Sequence, residues 1–221
     1  MRSIKELSSP DTGWKTVKEW IDNAKNKVEV LPAETQKASD ALYQTQAPAS
    51  TALGAVVYKT GGILVDNGWI RILGSGSPKL NRSLPEWNKG KATKTGEKAA
   101  FLLVADDALG GFYLLNYGGL GKDIDKMYYF SPDNLQYEPL EISYAEFLLF
   151  CFNNDLDKYY EGSRWEGWKT EILKLEGDKV FNFYPFLWSE EASDINKTSR
   201  KIIPVEEQYG FNVEIKKQMG I

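Results

Sequence analysis

The chain has no histidine and a single cysteine, Cys151, in 221 residues. The first absence removes Ser-His-Asp and Cys-His machinery, imidazole acid–base chemistry and histidine-ligated metal sites together. The second removes an intramolecular disulfide and a cysteine-based zinc site. Long apolar runs are missing too. The stretches Ala99–Ala105 and Phe147–Phe152 fall far short of the roughly 20 residues a membrane-spanning helix needs. Met1–Leu7 offers neither an apolar core nor a cleavage site, so it does not read as a signal peptide. The expected location is the cytoplasm, with no membrane partner. Any catalysis would rest on carboxylates, Lys, Tyr, Ser or Thr.

What is present describes a globular protein. Apolar residues make up 42% and charged residues 26%, values that exclude a fully disordered chain. The length suits one domain over residues 1–221, with N-terminal helices in 1–50, a sheet core and capped helix in 54–152 and an extension in 158–221. Net charge is −4 but uneven. Residues 1–100 hold 15 basic against 10 acidic side chains, and residues 101–221 hold 12 against 21. An acidic second half argues against nucleic acid, whose phosphates need positive surface, and suits a basic protein partner.

Trp14, Val17, Ile21 and Ala24 recur at helical spacing after a start signal at Ser9–Gly13. A second helix is expected from about Leu31-Pro32 to Thr45, with Lys27–Val30 a linker or strand stub. Three antiparallel strands are then expected from Ala55–Tyr58, Ile63–Val65 and Trp69–Leu73, turning at Gly61-Gly62 and at Asp66-Asn67-Gly68. Gly74–Pro78 reads as a turn, because no helix follows directly to make a phosphate loop of it. Ser83 caps a short helix at Leu84–Trp87, and Asn88–Lys98 reads as an exposed loop.

The most telling stretch is Phe101–Asn116, two apolar runs around Asp106-Asp107 and Gly110-Gly111. Each run has the length of a strand, so a hairpin is expected with its polar turn at the sheet's rim. Another strand at Met127–Phe130 follows, then a type I turn at Ser131–Asn134 and an extended Leu135–Leu140. Ser143 and Glu146 form a capping box opening a helix whose apolar face is Tyr144, Phe147, Leu148 and Cys151. Beyond it, Trp165, Trp168, Ile172 and Leu175 read as a helix face, Val180–Trp188 as a strongly aromatic run, Glu190–Lys201 as a loop and Pro204–Gly220 as a helix interrupted at Gly210. The rings of this tail divide between core and a possible groove, with core favoured by the usual burial of large rings.

Chemistry has few footholds here. Adjacent side chains leave an extended strand on opposite faces, so Asp106 and Asp107 form an acid–base pair only if the turn rotates one of them. One of them could instead join Asp66, Asp123 or Asp125 around a hard cation. No Ser lies in a nucleophile elbow and no Lys in an obvious apolar pocket, so no catalytic, cofactor or metal residues are assigned. Asp106, Asp107, Gly110, Gly111, Trp69, Arg71 and Trp188 form the candidate binding surface.

The order of Phe101–Asn116, Lys126–Phe130 and Glu138–Phe150, ending in Ser143-Tyr144-Ala145-Glu146-Phe147-Leu148, resembles the core of the SUKH superfamily of yeast cell-wall-regulator-like, Syd-like and bacterial immunity proteins. Over nearly its full length the chain is similar to the bacterial domain-of-unknown-function family 2625. The matching segments include Thr60–Leu64, Gly68–Gly76, Leu84–Gly90, Leu102–Asp107 and Phe183–Trp188. The elements add up to an α+β fold, an antiparallel sheet with N-terminal and C-terminal helices and an aromatic-rich C-terminal extension. The first resemblance, over about residues 55–152, implies a SUKH-like core there and a non-enzymatic, protein-binding role, toxin immunity among them. A basic toxin would then be the partner. Two alternatives stand beside it: a small-molecule or cation binder, or an enzyme, using the Asp106/Asp107 turn, and a scaffold with no dedicated ligand.

Overall fold

The computed structural model describes residues 1–92 and 99–221. Seven strands form one antiparallel sheet in chain order: β1 (Val28–Pro32), β2 (Thr60–Val65), β3 (Ile70–Leu73), β4 (Phe101–Asp107), β5 (Phe112–Asn116), β6 (Lys126–Phe130) and β7 (Tyr137–Ser143). The chain is thus α+β as expected, and β4–β5 is the expected hairpin at the centre of the sheet.

Alternation sorts the strand side chains onto two covered faces. Ile63, Ile72, Ala105, Asp107, Tyr113 and Tyr129 share the first face through the registers of β2–β6. Helix α6 (Tyr144–Asn153) covers it, with the Phe147 ring 4.8 Å from Tyr113. Helices α2 (Gly13–Asp22) and α4 (Ala52–Lys59) pack beside α6, and α3 (Thr35–Thr45) and the short α1 (Ile4–Leu7) lie outside them. Arg71, Asp106, Phe112 and Phe130 point the other way. There Trp87 of α5 (Leu84–Asn88) and Tyr209 of α9 (Val205–Met219) pack on Phe112 at 6.5 and 5.0 Å. The tail from residue 155 adds α7 (Leu156–Tyr159), α8 (Trp168–Ile172) and a hairpin of β8 (Lys179–Tyr184) with β9 (Ser199–Pro204).

Several expectations need correcting. Ala55–Tyr58 is helical, not a strand: Thr51 caps α4 by accepting the Gly54 N–H at 3.1 Å. Leu53–Val57 are all buried, and a segment apolar on every side shows no period to separate helix from strand. The strand paired with β2 on that side is instead β1, the strand stub of the two readings of Lys27–Val30, and Leu31-Pro32 ends it while the helix begins at Thr35. Gly61-Gly62 lie inside β2 and turn nothing, whereas Asp66, Asn67 and Gly68 do turn, all three at positive φ. The Trp165–Leu175 helix shrinks to α8. Ser199–Lys201 belong to β9, and α9 runs through Gly210 without a break. Asn88 is buried in α5, where its side chain bonds both the N–H and the C=O of Leu103. Lys94 and Lys98 of the expected loop lie outside the described residues.

The Ser143 cap is formed in both directions: its hydroxyl accepts the Glu146 N–H, and the Glu146 carboxylate accepts the Ser143 N–H at 2.7 Å. Because α6 covers the face bearing Asp107, Ser143→Ala should lower the unfolding free energy by about 1 kcal/mol. Urea denaturation measures it, and an unchanged midpoint would show that packing alone starts the helix.

Candidate functional site

The hairpin's two acids leave β4 on opposite faces and are wholly buried, so their side chains are not the contact surface expected of them. Each is held by its own set of donors. Asp106 lies across from Arg71 on β3, and its Oδ1 accepts from that guanidinium while its Oδ2 accepts from Arg82 Nη1 at 2.6 Å. Both arginines then reach the tail. Arg71 Nη1 donates to the Lys179 carbonyl, its Nη2 to the Asp107 carbonyl at 3.0 Å, and Arg82 Nη2 to the Gly177 carbonyl at 2.8 Å. Burial pulls the Arg71 pKa down and the Asp106 carboxylate opposes the fall. A guanidinium stays charged regardless. Arg82 also lies over the Trp87 ring at 4.6 Å.

Asp107 sits in a cradle of neutral donors. Its Oδ1 accepts the Leu109 and Gly111 N–H groups, each at 3.0 Å, an Asx-type turn that the Asp-x-x-Gly-Gly sequence is suited to make. Its Oδ2 accepts the phenol hydroxyls of Tyr129 at 2.7 Å and Tyr160 at 3.0 Å. The Tyr113 and Tyr160 hydroxyls are 2.7 Å apart. Burial lifts all three phenols well above the usual tyrosine pKa, so they remain protonated. Burial likewise raises the Asp107 carboxyl, against the lowering effect of its Tyr129, Gly111 and Tyr160 bonds.

The two glycines serve this arrangement and the tail above it. Gly110 adopts φ +84°, and its carbonyl accepts Asn212 Nδ2 at 3.1 Å, at the end of a run of amides through Gln208 to Asn182. A Cβ on Gly111 would stand 2.0 Å from the Tyr129 hydroxyl. The turn is therefore capped by α9 and is not presented at the rim. Trp69 is also buried, in contact with Tyr160, Trp165 and Trp168, with the Arg164 guanidinium 4.6 Å over its ring. Arg164 pairs in turn with Asp66 and Asp157. Of the seven residues of the expected surface, Trp188 alone reaches solvent. It stacks on Phe186 at 4.5 Å and 8°, with Phe211 beside both and Tyr184 68% exposed.

The expected cation arrangement is not assembled. Asp66 is paired with Arg164, and Asp123 with the Tyr128 hydroxyl and Asn116, partners that do not include either hairpin acid. Among the described residues no group of three or more Asp, Glu or Cys is placed to hold a metal ion. A cleft of about 380 Å³ does open beside Asp107. Its floor includes Tyr129, Tyr160 and Leu109, and its walls include Tyr159, Asp133, Glu138 and Leu187. Sequence reasoning missed Arg82, Tyr113, Tyr160 and Glu138. Once the β5–β6 register is known, alternation alone places Tyr129 with Tyr113 and Asp107, but nothing local marks Arg82 or Tyr160.

With this geometry in view, the profile of the family described as "Protein of unknown function DUF2625" matches residues 4–208. The chain belongs to this family. The DUF2625 match spans the hairpin, both arginines and Tyr184, Phe186 and Trp188, and ends inside α9 at Gln208, ahead of Phe211. An uncharacterized protein of Haemophilus influenzae is 40% identical over 223 residues, covering 100% of this chain and 98% of its own. The putative uncharacterized protein YbfG of Escherichia coli is 40% identical over 219 residues, 98% of each chain. No helix among the described residues is long and apolar enough to cross a membrane.

Two predictions follow from the hairpin. Asp106→Asn leaves Arg71 and Arg82 buried together without a counter-charge and should cost about 3–5 kcal/mol in chemical denaturation. A loss under about 1 kcal/mol would mean the tail carbonyls suffice. For Asp107 the folded pKa is raised above the ordinary 3.8, so its favourable contribution is fully present below pH 3.8 and is lost as pH rises through the folded value. The unfolding free energy of the native chain minus that of Asp107→Asn should therefore fall with rising pH above 3.8. A difference that rises over that window would reverse the sign of the burial effect.

Proposed function

We propose that the protein is a non-enzymatic protein-binding module of SUKH type, toxin-immunity-like, whose contact face is the aromatic strip Tyr184, Phe186, Trp188 and Phe211. The carrying observation is that these four rings gather on one surface, with Tyr184 68% exposed, when Trp165, Trp168, Phe181 and Phe183 of the same tail are buried. Large rigid rings of this kind are the usual anchors of protein interfaces, because they bury much area at little entropy cost. The strip runs into exposed Glu190 and Glu191, in the half of the chain where acids outnumber bases 21 to 12, which suits a basic partner.

The sheet edges favour docking through side chains over strand addition. β1 ends on Pro32 with a bulge, and β7 carries Pro139 and Glu141 at positive φ, all features that hinder edge pairing. The SUKH reading draws support from the order of hairpin, β6, β7 and Ser143-capped α6, the order on which the resemblance rests. The test is co-purification and calorimetry with basic proteins encoded beside the gene. A one-to-one complex is expected, weakened at least about tenfold by Trp188→Ala or Phe186→Ala. An affinity untouched by both substitutions would remove the strip as the contact face, and no complex with any neighbour's product would remove the immunity role.

A further inference from the structure

We propose that the cleft of about 380 Å³ beside Asp107 is a binding site for an organic cation, an ammonium or guanidinium on a short alkyl stem. This deepens the binding reading above, on which it rests for the source of the cation but not for the site itself.

A ligand site is read by whether its polar atoms offer hydrogens or lone pairs. Here the two phenol hydrogens of the floor are already committed, while the Ser163 and Ser193 hydroxyls that also line the cleft can turn to donate or to accept. Tyr129 and Tyr160, both on the cleft floor, each direct the single phenol proton at Asp107 Oδ2. Their oxygens can face a ligand only with lone pairs. The Ser131 hydroxyl donates to the Asp133 carboxylate, and Asn134 donates to Glu138. These bonds hold both carboxylates in place while leaving them acceptors. The cleft lining contains no Lys or Arg. A site with two carboxylates and no cation of its own is satisfied by a ligand that brings both donors and positive charge.

The remaining walls fit the rest of such a ligand. Tyr159 stands 40% exposed at the mouth with its ring edge-on to Tyr160 at 4.9 Å. An aromatic ring in that place offers a face to a cation. Leu109, Leu187, Pro132 and Ile195 give apolar surface for an alkyl stem. The volume lies in the range of small-ligand sites. Among the described residues no group of three or more Asp, Glu or Cys is placed to hold a metal ion, so the donor set favours an organic cation over a metal. The cation has two possible sources, an Arg or Lys side chain of the partner docked on the adjoining aromatic strip, or a free small amine.

Agmatine, which carries both head groups, is the probe. Calorimetry on the full chain should show saturable binding with Kd below about 1 mM and a rise in melting temperature with agmatine concentration. Butane-1,4-diol, the uncharged analogue, should show neither. Asp133 is exposed and Glu138 half-buried, so Asp133→Asn and Glu138→Gln are compatible with the fold, and each should weaken agmatine about tenfold. Glu34→Gln, the same charge change on a remote exposed residue, should leave it unchanged. Competition separates the sources: agmatine displaces a partner whose side chain fills the cleft, and binds alongside it if the natural ligand is free. Absence of binding to about 10 mM, equal binding of the diol, or full affinity in both acid variants would overturn the site. A partner complex formed through Trp188 without any agmatine binding would sink the cleft and leave the protein-binding reading standing. Agmatine binding with no protein partner would do the reverse.

Discussion

The fold hinges on one buried carboxylate shared by two arginines. Asp106 takes a guanidinium on each oxygen, and Arg71 and Arg82 pass on to the carbonyls of Lys179 and Gly177. Without the arginines those tail carbonyls would lose charged donors in a dry environment, and without Asp106 two positive charges would be buried together. Removing one member of such a group costs about 3–5 kcal/mol, a large part of a domain's whole stability. The triad therefore helps join the sheet's second face to the β8–β9 hairpin, beside the Phe181 N–H that donates to the Ala108 carbonyl at 2.9 Å. The aromatic tail packs on that hairpin and on Trp69, so its placement depends in part on the same three side chains.

The first face answers a similar problem with neutral groups. A lone carboxylate in a core would ordinarily be driven to accept a proton. Burial pushes Asp107 the same way, and two backbone and two phenol donors oppose the push; the tightness of that cradle explains Gly111, where a methyl group would meet the Tyr129 hydroxyl at 2.0 Å. One adjacent pair of acids thus performs two structural tasks. Charge is met by charge on one side, where the tail backbone also needs donors. On the other side it is met by dipoles, where a cleft adjoins.

How much of this was legible follows from range. The β4–β5 hairpin, β6 and the Ser143 capping box depend on neighbours a few residues apart, and their patterns are plain in the sequence. Opposite faces for Asp106 and Asp107 also follow from strand geometry alone. Burial of both does not, because it is decided by α6 over the face bearing Asp107 and by α9 and the tail over Asp106 and the turn, all distant in sequence. A polar Asp-Gly turn is ordinarily a surface turn, and here Asn212 and Gln208 roof it. Ala55–Tyr58 failed for a different reason: a segment buried all round has no amphipathic period, and the Thr51 cap was the cue that outranked its β-branched residues. Arg82 and Tyr160 join the site by packing across 24 and 53 residues, a relation that local pattern cannot express.

The cleft and the aromatic strip have one cause. Once both hairpin acids are satisfied inside, the loops that close over them, Ser131–Leu135, Tyr159–Ser163 and Leu187–Ile195, meet at one end of the sheet without filling it. The Tyr129 and Tyr160 protons are drawn inward to Asp107, and two held carboxylates with no Lys or Arg in the lining suit that end of the molecule to a positive charge. The ring stack of Phe186 and Trp188 lies next to it because Leu187, between them, turns into the cleft wall. A partner anchored by the rings would bring its neighbouring side chains to a cavity that favours positive charge. Selectivity for a basic partner would then originate in the way the fold disposes of Asp107, so that an internal proton arrangement and an external preference are the same piece of physics.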